Sequence, residues 1–357
     1  MKIIIAGDGD TGCHLARQLC AENQDVVLLG EDRKRLEELD SRNNIMVQYG
    51  SGVMPSDLKA AGITWCDLFI GVTPWGNENI VSSQLAKALG ARRTVARIDN
   101  GELITDSMRD VLRNTGIDIA LYPEYLVAHE IRTLLKHNWV KQWFELHDGA
   151  LVIVGVKVRQ DSELAGLQLY ELIKSEHPFH VAAIRRKGKT IIPKGDNRIE
   201  ANDILYLSML PDVADKVAGL CGHRPHRVQK VMISGAGKLA RQIVPALQHL
   251  DYGITVIDSD TARCRKMSAR YPSVTVVNSD QRDYEVLCDE GLESTDAFIA
   301  VNDSSEMNIV GSLLAKDAGV PRRNRGYTVF HRGREPQYRC GGQQEAAYIQ
   351  HHPADIA

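Results

Sequence analysis

The sequence predicts an α/β chain in which two doubly wound parallel-sheet lobes, copies of one another, flank one small α+β lobe. Three observations predict it. First, the chain repeats itself. Lys2-Ile3-Ile4-Ile5-Ala6-Gly7-Asp8-Gly9-Asp10-Thr11-Gly12 returns as Lys230-Val231-Met232-Ile233-Ser234-Gly235-Ala236-Gly237-Lys238-Leu239-Ala240. Asp67-Leu68-Phe69-Ile70-Gly71-Val72-Thr73 returns as Asp296-Ala297-Phe298-Ile299-Ala300-Val301-Asn302, and Asn79-Ile80-Val81 as Asn308-Ile309-Val310. Leu85-Ala86-Lys87 likewise pairs with Leu314-Ala315-Lys316, and the offset stays at 228 to 229 residues throughout. Agreement sustained over about ninety positions marks a duplication. Second, each copy alternates short β-branched runs with amphipathic stretches of helical length, the pattern of βαβ units and a parallel sheet. Third, a glycine-rich turn follows the first run of each copy.

Taken in order, residues 3–5, 26–29, 46–47, 68–72 and 94–98 read as strands, with amphipathic segments such as 13–22 and 79–89 between them. Segment 123–135 opens with Pro123 and places Val127, Ile131, Leu134 and Leu135 on one face, which predicts an amphipathic helix closing a first domain at 1–138. The texture then changes. Residues 151–158, a hairpin over 181–192 turning near Gly188, and 204–207 read as strands, with a helix near 167–175. This α+β lobe spans 139–222, and residues 219–225 read as a linker. The second copy occupies 226–320. The last 37 residues, 321–357, hold six arginines, no lysine and no leucine. That shift reads as a frameshifted or truncated terminus, with a disordered tail as the alternative.

Composition excludes several classes. In 357 residues, 43 Lys+Arg against 46 Asp+Glu give a net charge of −3, so no global field draws in nucleic acid or anionic lipid. No apolar run approaches the about 18–20 residues of a membrane span. Lys2 leads straight into a strand, unlike a signal peptide. The seven cysteines (Cys13, Cys20, Cys66, Cys221, Cys264, Cys288, Cys340) contain no C-x-x-C pair, which points to reduced structural thiols in the cytoplasm. His351-His352 reads as a solvated pair, and no metal ligand is expected.

The glycine turns carry the chemistry. Gly7-x-Gly9-x-x-Gly12 follows a strand and opens a helix, where a dinucleotide fingerprint belongs, and Gly235-x-Gly237 repeats it, so both lobes read as Rossmann-like. The first glycine permits the tight turn, the second lets backbone approach a pyrophosphate, and the third allows close helix–sheet packing. The helix N-terminus adds positive partial charge. Candidate cofactor contacts are therefore Gly7, Asp8, Gly9, Asp10, Thr11 and Gly12 in one loop, and Gly235, Ala236, Gly237 and Lys238 in the other. Asp258, 23 residues after Gly235, is placed to accept ribose hydroxyls. The matching residue after Gly7 is Gly30, which leaves Asp32 or Glu31 as the nearest acid.

Asp8 and Asp10 set negative charge beside a phosphate site, which is unfavourable unless they face solvent or meet a cation. The second copy is accordingly expected to bind adenine dinucleotide more tightly. Arg33 and Lys34 leave open a 2′-phosphorylated ribose in the first, and a ligand-free packing lobe is the other alternative. Thr73 and Pro74, with counterparts Asn302 and Asp303, lie at the crevice end of the fourth strand, and Arg97 ends the next. Asn79 and Asn308 fit equally as helix caps or as ligand contacts. In the small lobe His147, His177, His180, Lys174 and Tyr170 show no catalytic spacing, so that lobe reads as a sensing or dimerising module and no catalytic residue is expected.

The order of nucleotide lobe, amphipathic helix, small lobe and second nucleotide lobe resembles the TrkA potassium-uptake proteins, tandem relatives of the RCK/KTN channel regulators. Gly7-Asp8-Gly9-Asp10-Thr11-Gly12, Asp67 to Thr73, Thr94-Val95-Ala96-Arg97-Ile98 and Tyr122-Pro123-Glu124-Tyr125-Leu126 carry the resemblance in the first lobe. Ile192-Pro193-Lys194-Gly195 and Ala201-Asn202-Asp203-Ile204-Leu205 carry it in the small lobe, and the likeness extends to about residue 320. The resemblance implies a cytoplasmic, peripheral, non-enzymatic subunit that assembles as a dimer or tetrameric ring beneath a Trk-type membrane channel subunit. Such subunits gate uptake in response to NAD(H) or to ATP/ADP, without nucleic acid or direct membrane insertion. Helix 123–135 would then supply an interlocking dimer contact. The alternative from another class is an NAD-dependent oxidoreductase, which hydride transfer from NADH to a carbonyl would reveal.

Overall fold

The computed structural model describes residues 1–320 apart from 44, 148, 175–176 and 225–226, together with strands at 327–330 and 348–350. Cys340, His351, His352 and the rest of segment 321–357 lie outside the described residues. The chain divides into two compact units that part between Leu126 and Val127.

The first unit runs β1 (Lys2–Ala6), α1 (Asp10–Ala21), β2 (Asp25–Gly30), α2 (Arg33–Asn43), β3 (Met46–Tyr49), α3 (Pro55–Ala60), β4 (Leu68–Gly71), α4 (Gly76–Ala88), β5 (Arg93–Arg97), α5 (Asp106–Asn114) and β6 (Ile119–Leu121). The six strands are parallel in the order β3-β2-β1-β4-β5-β6. Side chains alternate across such a sheet, and the core follows that alternation. Ile3, Ile5, Val26 and Leu28 pack with Cys13, Ala16, Leu36 and Leu39 on one face. Ile4, Val27, Leu29 and Phe69 pack with Leu58 and Ala86 on the other. Strand order reverses between β1 and β4, so their C-terminal ends frame the crevice where such sheets take ligands.

The second unit begins inside α6 (Pro123–Lys136) and continues through β7 (Gln142–Leu146), β8 (Leu151–Lys157), α7 (Leu169–Lys174), β9 (Phe179–Arg186), β10 (Lys189–Ile191), β11 (Ile204–Met209) and α8 (Ala214–Leu220). The five strands form an antiparallel sheet, β10-β9-β11-β8-β7. The β9–β10 hairpin turns through Lys187 and Gly188, both at positive φ, as two-residue hairpin loops require. Asp203, almost wholly buried, accepts two hydrogen bonds from the Arg186 guanidinium, each 2.8 Å long. Strand β7 and helix α8 are additional to the elements that the sequence predicts for this lobe.

The repeat then returns as β12 (Lys230–Ser234), α9 (Ala240–Gln248), β13 (Gly253–Asp258), α10 (Thr261–Arg270), β14 (Thr275–Asn278), α11 (Tyr284–Asp289), β15 (Ala297–Ala300), α12 (Ser305–Asp317), β16 (Tyr327–Phe330) and β17 (Tyr348–Gln350). Its sheet order, β14-β13-β12-β15-β16-β17, copies the first as far as β16, and β17 pairs antiparallel where β6 is parallel. Segment 321–357 thus lends two strands to this sheet.

The apolar face of α6 is filled within the chain. Val127, Ala128, Ile131 and Leu135 join one core with Val231, Ile233, Ile243, Val244, Leu247 and Val256 of the second parallel-sheet lobe. Residues of the helix expected to form a contact between copies thus pack on the repeat within one chain. Just beyond α6, His137 stacks on Trp143 with ring centroids 3.8 Å apart. Burial, with Lys136 alongside, pushes the imidazole pKa from 6.5 down to about 4. The unfolded chain takes up this proton near pH 6.5 while the folded chain resists it until about pH 4, so stability rises with pH across that window. His137→Phe is expected to flatten the slope by about 2 kcal/mol between those limits, read from urea midpoints at stepped pH.

Candidate functional site

Both glycine turns sit at the C-terminal edge of their sheets. Gly7 at φ +128° and Gly235 at φ +111° lie in the backbone region that favours glycine. A Cβ on Gly7 would stand 2.9 Å from the Thr73 nitrogen, and one on Gly235 would stand 2.9 Å from Asn302 Oδ1. The turns are also stitched to the second strand: the Gly7 N–H donates to the Leu29 carbonyl at 2.9 Å, and that of Gly235 to Ile257 at 2.8 Å. A Cβ on Gly12 would fall 1.8 Å from the Gly7 carbonyl oxygen, so α1 can start tight against its own turn only with glycine there. In the second lobe that position is Ala240, and α9 begins on it, two residues later in the repeat than α1.

Asp10 meets a cation, as the sequence expectation allows, and Asp8 is held by backbone instead. Among the described residues Asp8 forms no ion pair. Its Oδ2 accepts the backbone N–H groups of Glu31 and Asp32, each at 2.7 Å. Asp10 pairs with Arg35. The Asp32 carboxylate accepts from Arg35 N at 3.1 Å at the start of α2. Its repeat counterpart Asp260 caps α10 in the same way, through the N–H groups of Ala262 and Arg263. The guanidinium of Arg33 lies over the Tyr49 ring.

In the second lobe Asp258 is buried, its Oδ2 accepting from Ala236 N at 2.7 Å and its Oδ1 from Asp260 N at 2.8 Å. Arg263, at the repeat position of Arg35, reaches within 4.0 Å of that carboxylate and bonds Asp303 at 2.7 Å. Arg263 and Asp303 thereby meet above Gly237, each 3.9 Å from where its Cβ would be. That hydrogen bond to Asp303 is the chief cause holding the guanidinium pKa above its usual value. Lys238 is exposed beside them. The two arginines were absent from the candidate residues, although their matched positions in the repeat were a readable signal.

The fourth-strand ends are held by asparagines in a role that is neither a cap nor an open ligand contact. Asn79 Oδ1 accepts from Thr73 N at 2.8 Å, and its Nδ2 donates to the carbonyls of Thr73 and Arg97. Asn308 clamps Asn302 in the same manner. Helix α4 follows Trp75 without a side-chain cap, whereas Ser304 caps α12 by accepting from Met307 N. Pro74 is exposed, and Arg97 is half-buried at the end of β5. Asn302 also donates to Ser234 Oγ and accepts from Gln281 Nε2, a polar chain occupying positions where the first lobe has Thr73, Ala6 and Gly52.

Among the described residues no group of His, Cys, Asp or Glu could hold a metal ion. No helix there is long and apolar enough to cross a membrane. Cys13, Cys66, Cys221 and Cys264 are buried and free. Burial pushes their thiols up, that of Cys221 to about 12, which keeps thiolate scarce.

The TrkA-N domain family model matches residues 3–123 and again 231–329, and the TrkA-C domain model matches 153–222. The chain is 30% identical over 328 residues to a Trk system potassium uptake protein TrkA of Halomonas elongata, covering 90% of this chain and 71% of that one. It is likewise 30% identical over 330 residues to the protein of that name in Haemophilus influenzae, with the same coverage. Among solved structures, the GsuK RCK domain superposes with a TM-score of 0.62 at 17% identity, over 88% of this chain and 67% of that one. The human SLO3 gating ring gives a TM-score of 0.51 at 14% identity, over 88% and 70%. Both share the fold.

Proposed function

This chain belongs to the TrkA family of Trk system potassium uptake proteins, and from that premise we propose that it is the nucleotide-binding regulatory subunit of a Trk-type potassium uptake system. One observation carries the reading. Two glycine turns, held at positive φ and stitched to their second strands, stand at the switch points of two parallel sheets, where such folds take dinucleotides. A related fold has been solved as the GsuK channel bound to NAD, in keeping with NAD(H) as ligand here and ADP or ATP as competitors. Gly7, Gly9, Thr11 and Gly12 would face the pyrophosphate in the first lobe, and Gly235, Gly237 and Lys238 in the second. Asp258 would accept the ribose hydroxyls, while Arg263 exchanges Asp303 for a phosphate. The domain organisation proposed with this is 1–138, 139–222 and 226–320, followed by segment 321–357. Nucleotide occupancy would act on a membrane channel subunit from the cytoplasmic face, with no chemical step.

The second lobe is expected to bind NADH more tightly, because Lys238 stands where the first lobe has Asp10. Asp258→Ala should weaken that site about tenfold in calorimetric titration, the worth of a charge-assisted hydrogen bond. A loss confined to Asp32→Ala would defeat the assignment. The physiological role is tested by growth of a deletion strain at limiting potassium and by co-purification with a channel subunit from detergent extracts. Normal growth in a strain without another uptake route would overturn it.

A further inference from the structure

The two lobes exchange the residue that carries one carboxylate. By repeat position, Asp8 matches Ala236 and Gly30 matches Asp258. In the second lobe the acid stands at the end of β13 and takes its hydrogen bonds from the glycine turn at Ala236 and from Asp260 beyond its own strand. In the first lobe the acid stands in the glycine turn and takes them from Glu31 and Asp32, beyond the matching strand. Either way one carboxylate bridges the same two backbone segments. Gly30 is the steric complement of the exchange: a Cβ there would lie 2.4 Å from Asp8 Oδ2 and 2.5 Å from Asp8 Cβ. The missing strand-end acid of the first lobe is thus displaced in sequence while the carboxylate keeps its place in space.

We propose that Asp8, delivered from the glycine turn, is the ribose-reading carboxylate of the first lobe and makes that lobe selective for nucleotides with an intact ribose diol. Both hydrogen bonds of the carboxylate end on Oδ2. Oδ1 remains for hydroxyl donors, and an ionised carboxylate has about four lone-pair sites to offer. The two N–H groups fix the carboxylate's orientation before ligand arrives, so little ordering is left to be done on binding. Asp32, whose carboxylate caps α2, is released from the ribose role. The inference rests on the nucleotide-binding reading above and sharpens it by naming the ligand group and the residue.

The test uses the full chain, with ADP and 2′-deoxy-ADP as probes. Hydrogen–deuterium exchange of peptides covering 7–14 and 30–36 reports the first lobe, and peptides covering 235–242 and 257–264 report the second. The wild-type first lobe is expected to prefer ADP about tenfold, the worth of one hydrogen bond to a charged group. Asp8→Ala should bring that ratio near one while leaving the second lobe's ratio unchanged. The double exchange Asp8→Ala with Gly30→Asp, which rebuilds the second lobe's arrangement, should restore it. Because the ratio compares two ligands on one variant, a modest loss of stability does not imitate the effect. Asp8→Asn, which keeps an oxygen for the two N–H groups, provides a second variant with an intact turn. A preference that survives both Asp8 variants overturns the proposal. So does nucleotide protection in the second lobe with none in the first, whereas protection in neither lobe overturns the nucleotide-binding reading itself.

Discussion

Ile131→Asp is expected to unfold the second unit while leaving the first unit's transition in place. Ile131 is fully buried between α6 and the second nucleotide lobe, in the core that also holds Val231, Ile243 and Val256. The substitution removes a branched side chain and puts a carboxylate among the apolar side chains of that core. Burying an unpaired charge and opening a cavity belong to the few mechanisms that cost about 4 kcal/mol or more. Urea unfolding followed separately through the two units should show the second transition lost or moved below the first. Lys136→Ala, an exposed position on the same helix, should stay within about 0.5 kcal/mol of wild type. An Ile131→Asp curve matching wild type would mean that α6 is not docked on the second lobe.

Gly12→Ala should abolish nucleotide binding in the first lobe and spare the second. The added methyl would meet the Gly7 carbonyl oxygen at 1.8 Å and the Gly7 carbonyl carbon at 3.0 Å, both backbone atoms with no rotamer to yield. The turn must then open, moving the N–H groups at the start of α1 away from a pyrophosphate. A loss of at least about 100-fold is expected, about 2.8 kcal/mol at 1.4 kcal/mol per decade. Exchange protection of the peptide spanning 7–14 by NADH reports it. The second lobe already has Ala240 at this position and accommodates it by starting α9 later, so its affinity serves as the internal control.

The fold was legible because its signals are periodic. Strand runs such as 3–5 and 26–29 alternate between the two faces of the sheet, and the repeat shows runs such as 3–5 and 68–72 a second time at 231–233 and 297–301. Strand β7 was not legible: Gln142, Phe144, Glu145 and Leu146 are exposed or nearly so, and the residues mix polar and apolar types without alternation. Helix α8 spans only seven residues, too short to display a stripe.

In the site, the glycines were readable because each answers to a backbone constraint that acts locally. The role of Asp8 was not. Its partners lie 23 and 24 residues away and are backbone N–H groups, which carry no residue signature. The glycine at position 30 read as a lost acid because sequence shows a missing side chain but not the group that fills the space. The asparagine clamps were half legible, since both positions stood out in the repeat. Their side chains turn back six residues to hold a loop, a path that spacing alone does not distinguish from a cap.

The docking of α6 on the second nucleotide lobe has a consequence for mass action. In a protein built from separate copies, a helix reaching across to a neighbour is bound only as far as the subunit concentration allows. Here the helix and the face it covers belong to one polypeptide, so their association is intramolecular, and a tether of this kind typically supplies an effective concentration in the millimolar range. Dilution that dissolves an assembly of chains leaves this junction closed. The two glycine turns, with their different loop charges, are consequently present in a fixed one-to-one ratio at every expression level.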